Sequence, residues 1–186
     1  MCGSPRGKAT TAPLTLALDQ GTHATRAVVF DARGAVVARA HRPVALARLD
    51  RARVEQSPAD ILVSLDAVLA AVLATPVIEP ERIHAAGLAT QRSSVLAWER
   101  DAGRPLSAVL SWQDTRAADT LAALATHAAE IRRRTGLPLS PHYGASKLRW
   151  LLDHEPAVTA ALEAGGLVAG PLAAFLLQHL LPGRAN

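Results

Sequence analysis

The run Leu16-Ala17-Leu18-Asp19-Gln20-Gly21-Thr22-His23-Ala24-Thr25-Arg26 gathers the residue types that phosphate chemistry needs. An apolar strand ends in a carboxylate, enters a glycine turn with hydroxyls, and returns on a second strand beginning with Arg26. Such a turn exposes backbone N–H groups that can cradle phosphate oxygens. Thr22 adds a hydroxyl donor, and Arg26 adds a permanent cation with a fork of donors. Asp19, at the strand end, is a candidate Mg²⁺ position acting through water, since Mg²⁺ gives up its hydration shell reluctantly. Gly and Asp are also ordinary turn residues, so spacing alone fits a plain polar hairpin equally well.

Positioning that turn requires short strands close together in sequence. Leu14–Leu18, Thr25–Phe30 and Ala35–Val44 read as strands, and Gly34 can take positive φ in the turn after Asp31. Their spacing predicts an antiparallel meander, because a parallel crossover needs a dozen residues or more. Ser57 then opens a helix with Pro58 at its first position and Asp60 in its first turn. Its apolar set, Ile61, Leu62, Leu65, Val68, Leu69, Val72 and Leu73, follows helical spacing until Pro76 and Pro80. Ile83–Thr90 reads as a buried strand, and Val95–Glu99 and Leu106–Ser111 as strands around an Asp101–Pro105 turn. Asp114–Arg134 reads as a second long helix, followed by helices at Gly144–Leu152 and Ala157–Glu163. A strand at Gly165–Val168 and a helix at Pro171–Leu181 close the chain. Three hairpin strands followed by alternating helices and strands give the βββαβα order of a ribonuclease-H-like domain, not a Rossmann order.

The 186 residues suffice for one domain with its own core. Aromatics make up 3% of the chain, so that core must be built from Ala, Val, Leu and Ile. The net charge of +4 is carried by arginines, with Lys8 and Lys147 as the two lysines. Most arginines alternate with acids, and the Arg132-Arg133-Arg134 triplet sits where a helix end favours cations, so no nucleic-acid footprint emerges. A single Cys2 excludes an internal disulfide and suits a reducing, cytoplasmic setting. Leu167–Leu181 is too short and too interrupted to span a bilayer, so no membrane partner is expected. Met1–Pro13 reads as a disordered leader without the apolar stretch of a signal peptide.

LALDQGTHATRAVVFD resembles the phosphate-loop signature of the FGGY family of carbohydrate kinases: an apolar strand, D-x-G-T, small residues, then Arg. Four further segments are similar, in the same order, to glycerol kinases of that family. They are Val54-Glu55-Gln56-Ser57-Pro58, which resembles the loop before the family's first helix; Gly87-Leu88-Ala89-Thr90-Gln91-Arg92; Val109 through Trp112-Gln113-Asp114 to Arg116; and Thr135-Gly136-Leu137 through Pro141 to Lys147, Trp150 and Asp153. The resemblance implies a ribonuclease-H-like (actin-like ATPase) α/β domain over residues 14–186, incomplete at its C-terminal end. It implies ATP and Mg²⁺ as cofactors, with Gly21, Thr22, Arg26 and the backbone of His23 and Ala24 facing the ATP phosphates. It places Arg92 on substrate hydroxyls and Trp112 against the carbon backbone of a polyol. Two positions depart from the pattern. Ser93 stands where glycerol kinases carry a Glu that accepts from substrate hydroxyls, and His142 stands where they carry Tyr. Losing a buried acceptor changes which hydroxyl pattern a site accepts, so a polyol or sugar other than glycerol is a plain alternative. His142 is a candidate donor and Asp114 a candidate compensating acceptor.

The expected reaction is transfer of the γ-phosphoryl group of ATP to a substrate hydroxyl, with a carboxylate taking the hydroxyl proton. In the family that carboxylate lies in a G-D-Q-type motif, which these residues lack, so the chain alone is expected to be inactive. Two other readings stand beside this one: a non-catalytic sugar-binding module derived from such a kinase, and another actin-like phosphotransferase or ATPase. Homo-oligomerisation is left open.

Overall fold

A computed structural model describes residues 12–181. The expected leader, Met1–Pro13, lies outside the described residues except for its last two, and there the Ala12 carbonyl accepts from the Arg82 guanidinium at 2.9 and 3.1 Å.

The meander forms as its spacing predicts. Strands β1 (Leu14–Gln20), β2 (Ala24–Phe30) and β3 (Val36–Pro43) pair antiparallel, with Asp19 opposite Arg26 and Ala17 opposite Val28. Further along the chain come the short strands β4 (Ala47–Arg48) and β5 (Val54–Gln56), then helix α1 (Pro58–Leu73). The Ser57 hydroxyl caps α1 by accepting the Asp60 N–H at 3.2 Å. Strand β6 (Ile83–Thr90) returns parallel beside β1, giving a first sheet in the order β3-β2-β1-β6.

Four segments differ from the sequence expectation. β6 is not a buried strand: His84, Ala85, Ala86 and Gly87 are exposed. It is an edge strand, and the sheet face to which Ala85 and Gly87 belong has no covering layer among the described residues. Val54–Gln56 is not a loop but a strand of a second sheet that the sequence reading lacked. This sheet runs β4-β5-β8-β7-β9, with β7 at Val95–Glu99, β8 at Val109–Leu110 and β9 at Leu167–Pro171. β8 is much shorter than the expected Leu106–Ser111 strand.

The expected long helix at Asp114–Arg134 is a turn, a 3-10 stretch at Asp119–His127 and helix α2 (Ala128–Thr135). Asp114 breaks it, because its carboxylate accepts the Arg116 N–H at 3.0 Å, a local bond that competes with helix. Helices α3 (Gly144–His154), α4 (Pro156–Glu163) and α5 (Leu172–Leu180) follow.

The main core lies between the inner face of the first sheet, α1, α5 and one face of β7, joining Leu14, Leu16, Leu18, Ile61, Leu65, Leu96, Trp98 and Phe175. On the other face of β7, Val95 and Ala97 pack with Leu110, Leu151 and Val158. β7 is therefore buried on both faces, and it fixes the second sheet as the platform for α3 and α4.

Candidate functional site

Gly21, Thr22 and His23 form the turn between β1 and β2. The Gly21 N–H donates to the Ala24 carbonyl at 3.0 Å. A Cβ on Gly21 would lie 3.2 Å from both that oxygen and Arg26 Nη1, so crowding rather than φ requires glycine here. A buried amide network holds the turn from behind. Gln20 Nε2 donates to the Gly21 carbonyl at 2.8 Å, and Gln56 Nε2 to the Thr22 carbonyl at 3.0 Å. Gln91 Nε2 joins the two by donating to Gln56 Oε1 at 2.6 Å and Gln20 Oε1 at 3.1 Å. In a trans peptide the C=O and the following N–H point in opposite directions, and no described peptide is cis. Drawing the Gly21 and Thr22 carbonyls inward therefore turns the N–H groups of Thr22 and His23 outward. Neither donates to another described backbone group.

Asp19 and Arg26, expected to face Mg²⁺ and phosphate, pair with each other. Arg26 Nη1 lies 3.0 Å from Asp19 Oδ2, with both side chains about half exposed (51% and 50%). Each thus keeps donor or acceptor capacity toward solvent. No group of three or more His, Cys, Asp or Glu capable of holding a metal occurs among the described residues. A Mg²⁺ held through water and phosphate oxygens needs one carboxylate and no protein cage. Outward N–H groups, the Thr22 hydroxyl and a half-exposed Asp19 form a donor set suited to a Mg-nucleotide.

The expected acceptor residues come from three separate segments. Arg92 and Ser93 occupy the turn from β6 to β7, Trp112 follows β8, and His142 precedes α3. Arg92 is exposed and has no hydrogen-bond or ion-pair partner among the described residues. Ser93 adopts φ 62°, the only positive φ at a non-glycine among the described residues. Trp112 and His142 meet edge to face, with ring centroids 5.4 Å apart. Trp112 also touches the phosphate turn, its indole Nε1 donating to Thr22 Oγ1 at 3.0 Å. Thr22 accepts in that bond, so its own proton remains available to a ligand. The Trp112 backbone N–H donates to Ser94 Oγ, which in turn donates to Gln91 Oε1, so both halves of the site share one network.

Asp114 does not compensate for Ser93. It is fully buried, and its carboxylate accepts the Val54 N–H at 2.8 Å and holds Arg116 at 2.7 Å. Arg116 also pairs with Glu55 at 2.6 Å and lies over the Trp150 ring at 4.8 Å. The carboxylates of the elements that build the site, Asp19, Glu55 and Asp114, are each paired with an arginine.

Sequence reasoning missed Gln20, Gln56, Gln91 and Lys147. Lone glutamines at strand ends carry no periodic signal. Lys147 lies four residues before the buried Leu151 on α3, but lysines at such positions usually extend to water. This one does not: it is fully buried.

A sequence profile of the FGGY family of carbohydrate kinases, N-terminal domain, matches residues 14–180. A glycerol kinase of Paracidovorax citrulli is 38% identical over 173 residues, covering 92% of this chain and 34% of that protein. A glycerol kinase of Methylorubrum populi is 41% identical over 169 residues, covering 90% and 34%. The crystal structure of Plasmodium falciparum glycerol kinase with ADP shares the fold, with a TM-score of 0.80 at 22% identity over 92% of this chain and 35% of that one. A xylulose kinase from Rhodospirillum rubrum gives a TM-score of 0.69 at 28% identity over 80% and 31%. The fold is the actin-like ATPase fold of these sugar kinases, and the chain spans about a third of the length of the relatives it matches.

Proposed function

The chain belongs to the FGGY family of carbohydrate kinases, and from that premise we propose that it supplies the phosphate turn and acceptor-holding face of an ATP-dependent polyol or sugar kinase. Kinases of this family use ATP and a divalent metal, and the proposed reaction moves the γ-phosphoryl group onto a substrate hydroxyl.

The observation that carries the reading is the Trp112–Thr22 hydrogen bond, 3.0 Å across 90 residues of chain. It sets the residue expected against the substrate's carbons beside the turn expected to hold phosphate. Transfer needs donor and acceptor held within reach of one another, and most of the catalysis comes from placement and charge stabilisation. The outward N–H groups of Thr22 and His23 and the Thr22 hydroxyl would hold phosphate oxygens. Asp19 would hold Mg²⁺ through water, and the ion neutralises charge on those oxygens. The indole of Trp112 and the ring of His142 cover C–H groups, while Arg92 offers donors to hydroxyls. Ser93 contributes a short hydroxyl where a carboxylate would reach further, which weakens recognition of glycerol's hydroxyls, so the acceptor is glycerol or another polyol or sugar. The family's proton-accepting carboxylate lies in a G-D-Q-type motif that these residues lack, so in this reading the proton acceptor is not among them.

Calorimetry on the purified chain tests this. Weak binding of both Mg-ATP and a polyol or sugar is expected, with no turnover in a coupled ADP assay. Thr22→Val should weaken Mg-ATP about tenfold, the value of one hydrogen bond to a charged group, and Trp112→Ala should abolish acceptor binding. Polyol binding without nucleotide would favour the sugar-binding module. Nucleotide binding with no response to any polyol or sugar would sink the acceptor assignment.

A further inference from the structure

We propose that Lys147 is a positioning residue that sets the mutual placement of the three segments carrying Arg92 and Ser93, Trp112, and His142. The proposal rests on the acceptor-face reading of those residues.

An ammonium has three donors splayed tetrahedrally and no acceptor. Lys147 Nζ uses all three on backbone carbonyls: Ser111 at 2.7 Å, His142 at 3.0 Å and Ser93 at 3.2 Å. Each carbonyl belongs to a different segment, and each segment carries one of the expected acceptor groups. Ser111 immediately precedes Trp112, His142 is itself such a residue, and Ser93 follows Arg92. No carboxylate is among the ammonium's hydrogen-bond partners, so the contact is not a buried ion pair.

The base of the clamp is fixed. Lys147 stands on the first turn of α3, and α3 begins at Gly144, whose missing Cβ would lie 2.8 Å from Val95 Cγ1 on β7. The helix start is therefore pressed against the second sheet and cannot slide. The Ser93 end shows what the clamp holds in place. A left-handed conformation is disfavoured at a residue bearing a Cβ, and such conformations persist where their surroundings over-determine them. The bond from Nζ to the Ser93 carbonyl is one such determinant.

A purely structural role would be served more cheaply. An apolar side chain would pack with Leu148 and Leu151, whereas burying an ammonium against carbonyls carries a desolvation cost that apolar packing avoids. What an apolar residue cannot do is fix three loops by direction. Arginine is no substitute, since its donors lie in one plane.

The test compares Lys147→Met and Lys147→Arg with Leu151→Ala, which removes packing on the same helix without touching the three carbonyls. Two readouts are followed at a temperature where every variant is folded. The first needs no ligand: hydrogen-exchange protection of the Trp112 indole N–H, bonded to Thr22, against that of Trp98, bonded to Gln178 Oε1 at 2.6 Å. The second is calorimetric affinity for the polyol or sugar that the wild-type chain binds, against affinity for Mg-ATP. Lys147→Met is expected to lower Trp112 protection about tenfold and weaken polyol binding about tenfold, the loss of charge-assisted bonds. Trp98 protection and Mg-ATP affinity should stay within about threefold. Lys147→Arg should move both acceptor-side readouts in the same direction by less, and it decides the matter if Lys147→Met does not fold. Leu151→Ala should lower stability and leave Trp112 protection unchanged. A Lys147 variant with wild-type Trp112 protection, or with losses matched by Leu151→Ala, overturns the proposal. If the wild-type chain binds no polyol, the acceptor reading fails while Trp112 protection still decides whether Lys147 places the segment.

Discussion

At the scale of single residues, charge burial sets the most direct consequence. Burial pushes the Lys147 ammonium down to about 8, with Asp114 pulling it up and Arg116 pushing it down. Between that value and the ordinary lysine range, the unfolded chain keeps a proton that the folded chain has released. Stability therefore rises with pH across that window, and below it, where both states are protonated, this group adds no slope. Lys8 is the only other lysine, so the signal is not diluted. A urea midpoint higher at about pH 9.5 than at about pH 7.5 is expected for the wild type, with a flat response in Lys147→Met. A wild-type midpoint that falls over this interval would contradict the burial of a charged Lys147. The same residue shows the limit of sequence reading at this scale. Asp19, Gly21, Thr22 and Arg26 stand out as candidates because a strand, a glycine turn and charges occur in one short run. Lys147, Gln20, Gln56 and Gln91 tie together segments far apart in sequence, Lys147 to Ser93 across 54 residues and Gln91 to Gln56 across 35, and although they fall within matching segments their roles show only in the fold. Asp114 misled for a related reason: a carboxylate in sequence reads as available, and only the fold shows Val54 and Arg116 consuming it.

At the scale of elements, hydrophobic period and capping chemistry were reliable guides, and pairing partners were not. Helix α1 follows from Ser57, Pro58 and its apolar stripe. The meander follows from short spacings and Gly34, whose φ is 81°. The second sheet was hidden because β4, β5 and β8 have two, three and two residues, too few to show alternation. The segment after Asp114 looked helical from its alanines, yet no residue of the 3-10 stretch or of α2 is buried. Helix propensity without a buried face gives little stability, and the long helix breaks. α3 is the opposite case: contact with β7 decides its position. Gly144→Ala would drive a methyl group into Val95, which is 3% exposed and stiff at χ1. A cost of about 1–3 kcal/mol is expected, the usual range for overpacking a core, measured by urea denaturation. Because Lys147 rides on the same helix, Trp112 indole protection should fall as well. A variant as stable as the wild type would show that α3 is free to shift, removing the fixed base on which the Lys147 clamp depends.

For the molecule as a whole, the first sheet has one face in the core and one in solvent. Alternation along β1 and β2 puts Ala17 and Val28 on the outer face, and the register sets Gly87 of the parallel edge strand beside Ala17. Nothing lies within 4 Å of the position a Gly87 Cβ would take. The sheet is mostly antiparallel and can leave one face to water, but its unpaired β6 edge invites pairing with another chain. The chain covers 34% of its Paracidovorax citrulli relative, and the part of the outer face beside the edge strand, Ala17, Ala85 and Gly87, carries small residues open to close packing, while Asp19, Arg26, Arg39 and His41 make the rest of that face polar. In isolation this face should make the chain associate with itself and bind apolar dyes. Val28→Lys with Ala85→Lys places two charges on that face without entering the core, since Val28 alternates with the buried Ala27 and Val29, and Ala85 is itself exposed and lies beside the exposed Thr15 of β1. Sedimentation should show concentration-dependent association of the wild type and a monomer for the double variant, with melting temperatures alike. A monomeric wild type that binds no dye would mean that the exposed face is tolerated as it stands, and the association argument would fall with it.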